Sequence, residues 1–248
     1  MKTILAINGS PRKKTTYQAI RDVSAILEPH DIQVDILNLS EIKLNYCAGC
    51  QACVSKAAPC WQEDDIPLIF EKMEQCDGVI LASPIYMFHI SGLMKSFIDR
   101  TTFFYHRPQR VVGKPALVVT TASSPTGGQT AQFLEKTALR WGMQPTGKVH
   151  VSAMFQKSLS EKSLRNFMRH LEMPKNQYRP SWEQVFYFNF QKATAHAFLP
   201  LDWQHYIDHG WDNRDYYYDS RMGLLKKAAS AALYSLFKKM FRTEKDGK

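Results

Sequence analysis

Lys2-Thr3-Ile4-Leu5-Ala6-Ile7-Asn8-Gly9-Ser10-Pro11-Arg12-Lys13-Lys14-Thr15-Thr16 is an apolar strand running into a glycine turn and then a helix start. The apolar run from Ile4 to Ile7 reads as a buried strand. Gly9 permits a tight turn, and the basic and hydroxyl residues that follow suit a bound dianion. Helix-start N–H groups point at such an anion, Ser10 with Thr15 or Thr16 offers hydroxyls, and Arg12 adds charge-assisted donors. The pattern is neither G-x-G-x-x-G nor G-x-x-x-x-G-K-[ST], which speaks against a dinucleotide fold and a P-loop NTPase.

Outward from this stretch the unit repeats. A helix over Thr16–Leu27 leads to a strand over Ile32–Leu37. Glu63-Asp64-Asp65 is placed to cap a helix over Ile66–Gln75, because carboxylates favour helix N-termini. Strands follow at Gly78–Ala82, Ala116–Thr121 and Lys148–Val151, separated by helices over Ser91–Thr102 and Gln129–Trp141. Parallel strands need crossover helices and bury both faces. The expectation is an α/β, flavodoxin-like, doubly wound five-stranded parallel sheet over residues 1–151, with ligands at the strand carboxyl ends. Residues 152–248 read as a mainly helical, aromatic-rich and basic C-terminal extension.

Three loops then converge on one sheet edge. Ser83-Pro84-Ile85-Tyr86-Met87-Phe88 follows the third strand and Thr121-Ala122-Ser123-Ser124-Pro125-Thr126-Gly127-Gly128 the fourth. Pro84, Tyr86 and the glycine-rich loop supply the apolar ledge and backbone groups that a flat ring system needs. Beside them stands Cys47-x2-Cys50-x2-Cys53-x6-Cys60. In a reducing compartment such a cluster points to metal or catalysis rather than a disulfide framework. Its compactness suits a [4Fe-4S] cluster better than zinc, which usually takes two separated pairs, and a plain thiol cluster is the remaining reading. Cys76 reads as a buried hydrophobe.

As a set, Gly9-Ser10-Pro11-Arg12, Cys47-Ala48-Gly49-Cys50-Gln51-Ala52-Cys53, Asp64-Asp65, Ser83-Pro84-Ile85-Tyr86 and Lys95-Ser96-Phe97-Ile98-Asp99-Arg100 resemble the NADPH-dependent FMN reductase family, especially its iron-sulfur flavoprotein branch. The resemblance covers about the first 150 residues. It implies a noncovalent FMN and a homodimer or homotetramer with the flavin near a subunit interface. It places Ser10, Arg12, Thr15 and Thr16 on the phosphate and Ser83, Pro84, Ile85, Tyr86 and Met87 along the isoalloxazine. Ser123, Gly127 and Gly128 complete that pocket, and Cys47, Cys50, Cys53 and Cys60 become ligands of the cluster. The family often has Ser-Asn-Thr where this chain has Thr15-Thr16-Tyr17. Asp99-Arg100 reads as a structural pair, while His89 reads either as a substrate contact or as a surface residue.

Three functions are expected from these readings. The first is an FMN-dependent NAD(P)H oxidoreductase reducing a flavin, quinone or similar small-molecule acceptor. The second is an iron-sulfur flavoprotein passing electrons between a ferredoxin-type partner and an acceptor. The third is a non-enzymatic, zinc-binding flavodoxin-like scaffold. No residue is assigned as catalytic, because the cofactor carries the redox chemistry.

The net charge of +9 is concentrated late, with eight basic and two acidic residues from Arg221 to Lys248. No zinc finger, RNP motif or basic repeat accompanies it, so nucleic acid is not expected. In that tail Leu225, Ala229, Leu233, Leu236 and Met240 fall on one helical stripe among lysines, open to a membrane surface or to docking on its own protein. The aromatic residues between Trp182 and Tyr218 either form a lid over the flavin or pack the extension. No signal peptide or spanning segment is apparent, and a soluble cytoplasmic protein is expected.

Overall fold

In the computed structural model, the residues described are 1–56, 60–123, 128–152, 154 and 159–246, with side chains to residue 241. Five strands form one parallel sheet: β1 (Lys2–Asn8), β2 (Ile32–Asn38), β3 (Gly78–Tyr86), β5 (Pro115–Ala122) and β6 (Gln144–Ser152). A two-residue β4 (His89–Ile90) folds back antiparallel on the end of β3. The spatial order β2-β1-β3-β5-β6 is the flavodoxin-like order, so the expected fold is the observed one.

Alternation along the strands divides the core into two layers. Leu5, Ile7, Val79, Leu81 and Val118 face α3 (Ile66–Gln75), α4 (Gly92–Arg100) and α6 (Gly128–Arg140). Ile4, Ala6, Ile80, Ala82, Leu117 and Val119 face α1 (Thr15–Leu27) and α7 (Glu161–Glu172). The period-two exchange of sides is what a strand buried on both faces requires. Because α7 brings Leu164, Phe167 and Leu171 to the α1 layer, residues beyond 151 complete the cover of the sheet.

Two strands run further than their sequence suggests. β3 continues through Ser83-Pro84 to Tyr86, where Pro84 still lies opposite Thr121 of β5. β1 has already ended at Asn8 opposite Ala82, so a residue without an N–H leaves no ladder donor missing on that side. β6 begins at Gln144 rather than Lys148, and its Pro145 and Gly147 sit on an edge strand. The register shifts there so that Thr146 is extra, and its hydroxyl donates to Ala116 O at 2.9 Å.

The extension consists of α8 (Trp182–Phe198), α9 (Pro200–Asp208) and α10 (Leu224–Asp246). Ser181 caps α8 in a reciprocal box with Gln184, whose amide also donates to Met143 O and to the Tyr216 hydroxyl. Phe188, Tyr206, Trp211, Tyr216 and Tyr217 are buried together with Val112. Gln144 Nε2 donates to the Tyr218 hydroxyl at 2.7 Å, tying this aromatic core to the amino ends of β5 and β6. The aromatic residues therefore pack the extension at the sheet edge opposite the phosphate loop, and the lid reading falls.

The α10 stripe is also rotated from its expected position. Ser230, Phe237 and Phe241 are the buried positions, with Phe237 and Phe241 against Phe190 of α8, while Leu225, Leu236 and Met240 are exposed. Two phenylalanines four residues apart bury more area than the leucine stripe and decide which face docks. No described helix is long and apolar enough to cross a membrane.

Candidate functional site

The turn expected to hold a phosphate is built around Asn8 and Gly9. Asn8 Nδ2 donates to Asn38 Oδ1 at 2.9 Å, and its Oδ1 accepts from Ser10 N at 3.0 Å, so one amide fixes both the end of β2 and the start of the turn. Gly9 N donates to Ala82 O at 2.8 Å, and Ser91 Oγ donates to Gly9 O. A Cβ at Gly9 would lie 2.7 Å from Met94 Cβ, so glycine is required by close packing against α4. The Ser10 hydroxyl donates to Arg12 O at 2.8 Å, which makes it part of the turn. No side chain caps the N-terminus of α1. Its first N–H groups are the orphan donors that an anion would satisfy.

A cavity of about 150 Å³ opens at this helix start. Of the expected site residues, Ser10, Arg12, Thr15, Thr16, Pro84, Ile85, Tyr86 and Ser123 line it. Lys14, Thr121 and Ala122 line it too and were missed. Lys14 stands inside the very loop that was read as phosphate-binding, and Thr121 closes a strand pointing at it. The Thr16 and Thr121 hydroxyls lie 2.7 Å apart and join α1 to β5 beneath the cavity.

Three expected residues stand elsewhere. Ser83 is behind the wall, donating to Pro84 O at 2.8 Å and accepting from Ser91 N at 3.0 Å, so it braces the β3–β4 hairpin. Gly128 opens α6 with free space around it, and Gly127 lies outside the described residues. Met87 is on the hairpin tip, outside the cavity lining. Tyr86 pairs with His89 across that tip, leaving Met87 and Phe88 at φ 45° and 64°. A two-residue hairpin turn demands positive φ at both positions and favours Asn-Gly there. Met87 and Phe88 are instead 89% and 73% exposed, so two large apolar side chains are held out in a strained conformation next to the cavity lined by Pro84, Ile85 and Tyr86. His89 packs edge-on against Phe133, with centroids 4.7 Å apart.

The cysteine segment leaves β2 at the same carboxyl edge. Of the Glu63-Asp64-Asp65 run expected to cap α3, Asp64 does so through Oδ1, which accepts from Ile66 N at 3.3 Å, while Asp65 at the N-cap position makes no side-chain cap. The carboxylates also reach back along the chain: Asp65 Oδ2 accepts from Lys43 N at 2.7 Å and Asp64 Oδ2 from Asn45 N at 3.0 Å. An incoming chain with unpaired N–H groups competes successfully for them. Arg100, almost fully buried, donates to both Asp64 oxygens and to Asn45 O. This Arg100 clamp gives the Asp99-Arg100 motif the structural role expected of it, and it holds the Asp64 carboxyl below its ordinary range against the opposing effect of burial.

Cys47, Cys50, Cys53 and Cys60 all line one cavity of about 310 Å³, together with Phe70 and Phe103. Its polar wall includes Arg100, and the Trp61 indole N–H donates to Cys50 Sγ at 3.3 Å. The Ala52 backbone N–H, helped by this indole, holds the Cys50 thiol below its ordinary pKa, while burial pushes Cys53 up. Among the described residues no three His, Cys, Asp or Glu side chains are gathered closely enough to hold a single metal ion. Four thiols are the donor number that a [4Fe-4S] cluster takes, one to each iron. Cys76 lies elsewhere in the core, its thiol donating to Met73 O at 3.3 Å.

The model of the NADPH-dependent FMN reductase family matches residues 2–157. The chain belongs to that family. It is thereby placed among the FMN-dependent oxidoreductases. An iron-sulfur flavoprotein of Archaeoglobus fulgidus is 34% identical over 148 residues, spanning 59% of this chain and 66% of that protein. An iron-sulfur flavoprotein of Clostridioides difficile is 30% identical over 165 residues, spanning 64% of this chain and 72% of the relative. The crystal structure of RosB with the bound intermediate 8-demethyl-8-formylriboflavin-5'-phosphate is 14% identical, has a TM-score of 0.52, and covers 94% of this chain and 86% of its own. That likeness shows the fold.

Proposed function

We propose that this chain binds FMN at the carboxyl edge of its sheet and uses NAD(P)H to reduce a flavin, quinone or similar small acceptor. The observation that carries the reading is the uncapped start of α1, opening with Arg12, Lys14 and Thr15 onto a cavity walled by Pro84, Ile85 and Tyr86. FMN, when bound, supplies hydride acceptance and one-electron release. The protein's part is to hold and orient it. N–H groups of α1 and the Arg12 guanidinium neutralise the phosphate, the Thr16–Thr121 pair fixes the floor, and Pro84 to Tyr86 with the hairpin tip shelter the ring. Exposed Met87 and Phe88 support a homodimer or homotetramer in which a second copy covers that tip.

A second reading is favoured by one specific observation, the convergence of four thiols on one cavity. In it Cys47, Cys50, Cys53 and Cys60 hold a [4Fe-4S] cluster, and electrons come from a ferredoxin-type partner. Both relatives described above carry the iron-sulfur flavoprotein name. The cluster, when present, supplies one-electron transfer at a site tuned by the surrounding hydrogen bonds and burial.

Titration of flavin-free protein with FMN and with riboflavin, followed by flavin fluorescence, tests the phosphate site. FMN is expected to bind far more tightly, and Arg12→Ala to weaken FMN roughly tenfold to a hundredfold, the effect of a charge-assisted contact, while leaving riboflavin unchanged. Equal affinity for the two flavins would refute the site. Anaerobic mixing with NADPH or NADH then separates the two donors: rapid bleaching at 450 nm, about where oxidised flavin absorbs, supports the reductase.

A further inference from the structure

The C-terminal extension reaches the cysteine segment through one buried ion pair. Cys53 lies in α2 (Ala52–Ser55), a single turn of helix. One isolated turn is unfavourable on its own, because its fixed dihedrals are rewarded by few hydrogen bonds and its terminal carbonyls lack helical partners. Gln51, which leads into the turn, stands at φ 56°, a further local cost. Something outside α2 must hold it.

That support comes from Arg107, which follows α5 (Thr102–His106). Its Nη1 donates to Cys53 O at 2.8 Å and its Nη2 to Val54 O at 3.0 Å, so the guanidinium fork bridges two successive carbonyls. The Arg107 side chain is only 5% exposed. Two neutral carbonyls do not balance a buried cation, and a charge removed from water needs a counter-charge. Asp202, 2% exposed, supplies it: one carboxylate oxygen lies against Arg107 Nη2 and the other is 2.6 Å from His106 Nδ1. Asp202 sits in the first turn of α9, where a carboxylate is favoured by the helix dipole. His106 and Arg107 thus fix its rotamer from one side while α9 fixes its backbone from the other. The residue lies beyond the matched family region, which ends at 157.

We propose that Asp202 is a positioning residue for the cysteine site: through Arg107 it pins the α2 turn and so presents Cys53 to the cavity in the arrangement a thiolate-bound centre needs. The purpose assigned to this positioning rests on the second functional reading, but the relay itself involves only residues of this chain. Sequence gives no hint of it, since Arg107 and Asp202 are far apart along the chain and each is unremarked among other charged residues.

The test uses the whole 248-residue chain, metal-free, and the rate at which iodoacetamide alkylates Cys53, read by mass spectrometry. Opening of a held segment raises such a rate in proportion to its open population. Asp202→Asn keeps the shape and removes the charge. It is expected to accelerate Cys53 alkylation about fivefold or more, the low end of a site-to-site coupling, while Cys76 stays protected and FMN binding is unchanged. Arg107→Gln is expected to match it, the double variant to add nothing to the larger single effect, and Asp202→Glu to restore most of the protection.

An unchanged Cys53 rate in Asp202→Asn, or independent additive effects of the two substitutions, would overturn the proposal. If Asp202→Asn also exposes Cys76, His106→Gln replaces it, since it frees one carboxylate oxygen and leaves the guanidinium paired. A smaller rise confined to Cys53 then supports the relay, and no rise overturns it. Iron content of the reconstituted wild-type chain is measured separately. It reports on the cluster reading alone, so failure of that reading and failure of the relay are distinguished.

Discussion

Replacing Met87-Phe88 with Asn-Gly should make the protein more stable and a poorer flavin binder. Both residues occupy the left-handed region, at φ 45° and 64°. Each costs about 1 kcal/mol or more relative to a residue suited to that region, so the pair stores roughly 2 kcal/mol. Within one chain little packing is lost by removing them, because the side chains are 89% and 73% exposed, so the gain is read at a dilution where the chain is monomeric. For a chain of this size about 2 kcal/mol corresponds to a rise in Tm of roughly 6 °C. Differential scanning calorimetry of the flavin-free Met87→Asn/Phe88→Gly variant measures it. Fluorescence titration with FMN measures the compensating loss, expected because the tip's apolar cover of the ring edge is gone. A Tm that falls or stays level would show that the turn is not strained. A higher Tm with undiminished FMN affinity would show that the strain has nothing to do with the flavin.

Three other outcomes follow from contacts around the same fold. Gly9→Ala should destabilise the chain by about 2 kcal/mol in urea unfolding, and Met94→Ala should not relieve it, since the close approach is to Met94 Cβ at 2.7 Å. Thr16→Val should cost about 1–2 kcal/mol by leaving the Thr121 hydroxyl unpaired, whereas Thr16→Val/Thr121→Val should recover most of it, a non-additivity measurable by a double-mutant cycle. Burial, with His209 adding to it, pushes His205 down to about 4. The unfolded chain therefore takes up the proton first, and stability that is full above about pH 6.5 falls as the pH drops toward 4. Discounted for the part of the ring open to water, that loss is about 2 kcal/mol, and His205→Gln should flatten the decline of unfolding free energy between pH 7 and 5.

What the sequence makes legible is local. The apolar run before Gly9, the basic and hydroxyl residues after it, and the buried-strand runs at Gly78 and Ala116 carry the doubly wound order because strand burial and helix crossover leave few other solutions. For the same reason the Gly9 turn and the Pro84–Tyr86 segment come to one cavity, as the structure has them. Features set by tertiary competition were hidden. Asp65 has the chemistry of a cap but binds Lys43 N, and Asp64 divides its two oxygens between Ile66 N and Asn45 N, a choice made by a loop folding back on them. Ser83 lies next to Pro84 in sequence yet turns its hydroxyl away from the cavity that Pro84 lines, because the β3–β4 hairpin needs it at Ser91 N. The strand from Gln144 carries Pro145 and Gly147, which only an edge position tolerates. In α10 the leucine stripe gave way to Phe237 and Phe241, whose partners on α8 cannot be seen in the helix itself.

The most direct test is to purify the protein anaerobically and measure bound flavin, iron and acid-labile sulfide on one sample. FMN, released by denaturation and distinguished from riboflavin and FAD by chromatography, is expected at about one per chain. About four iron and four sulfide accompanying it would select the electron-carrying form with Cys47, Cys50, Cys53 and Cys60 as ligands, and FMN alone the NAD(P)H-dependent reductase. A chain that comes without flavin and takes up no FMN on titration would contradict the central claim.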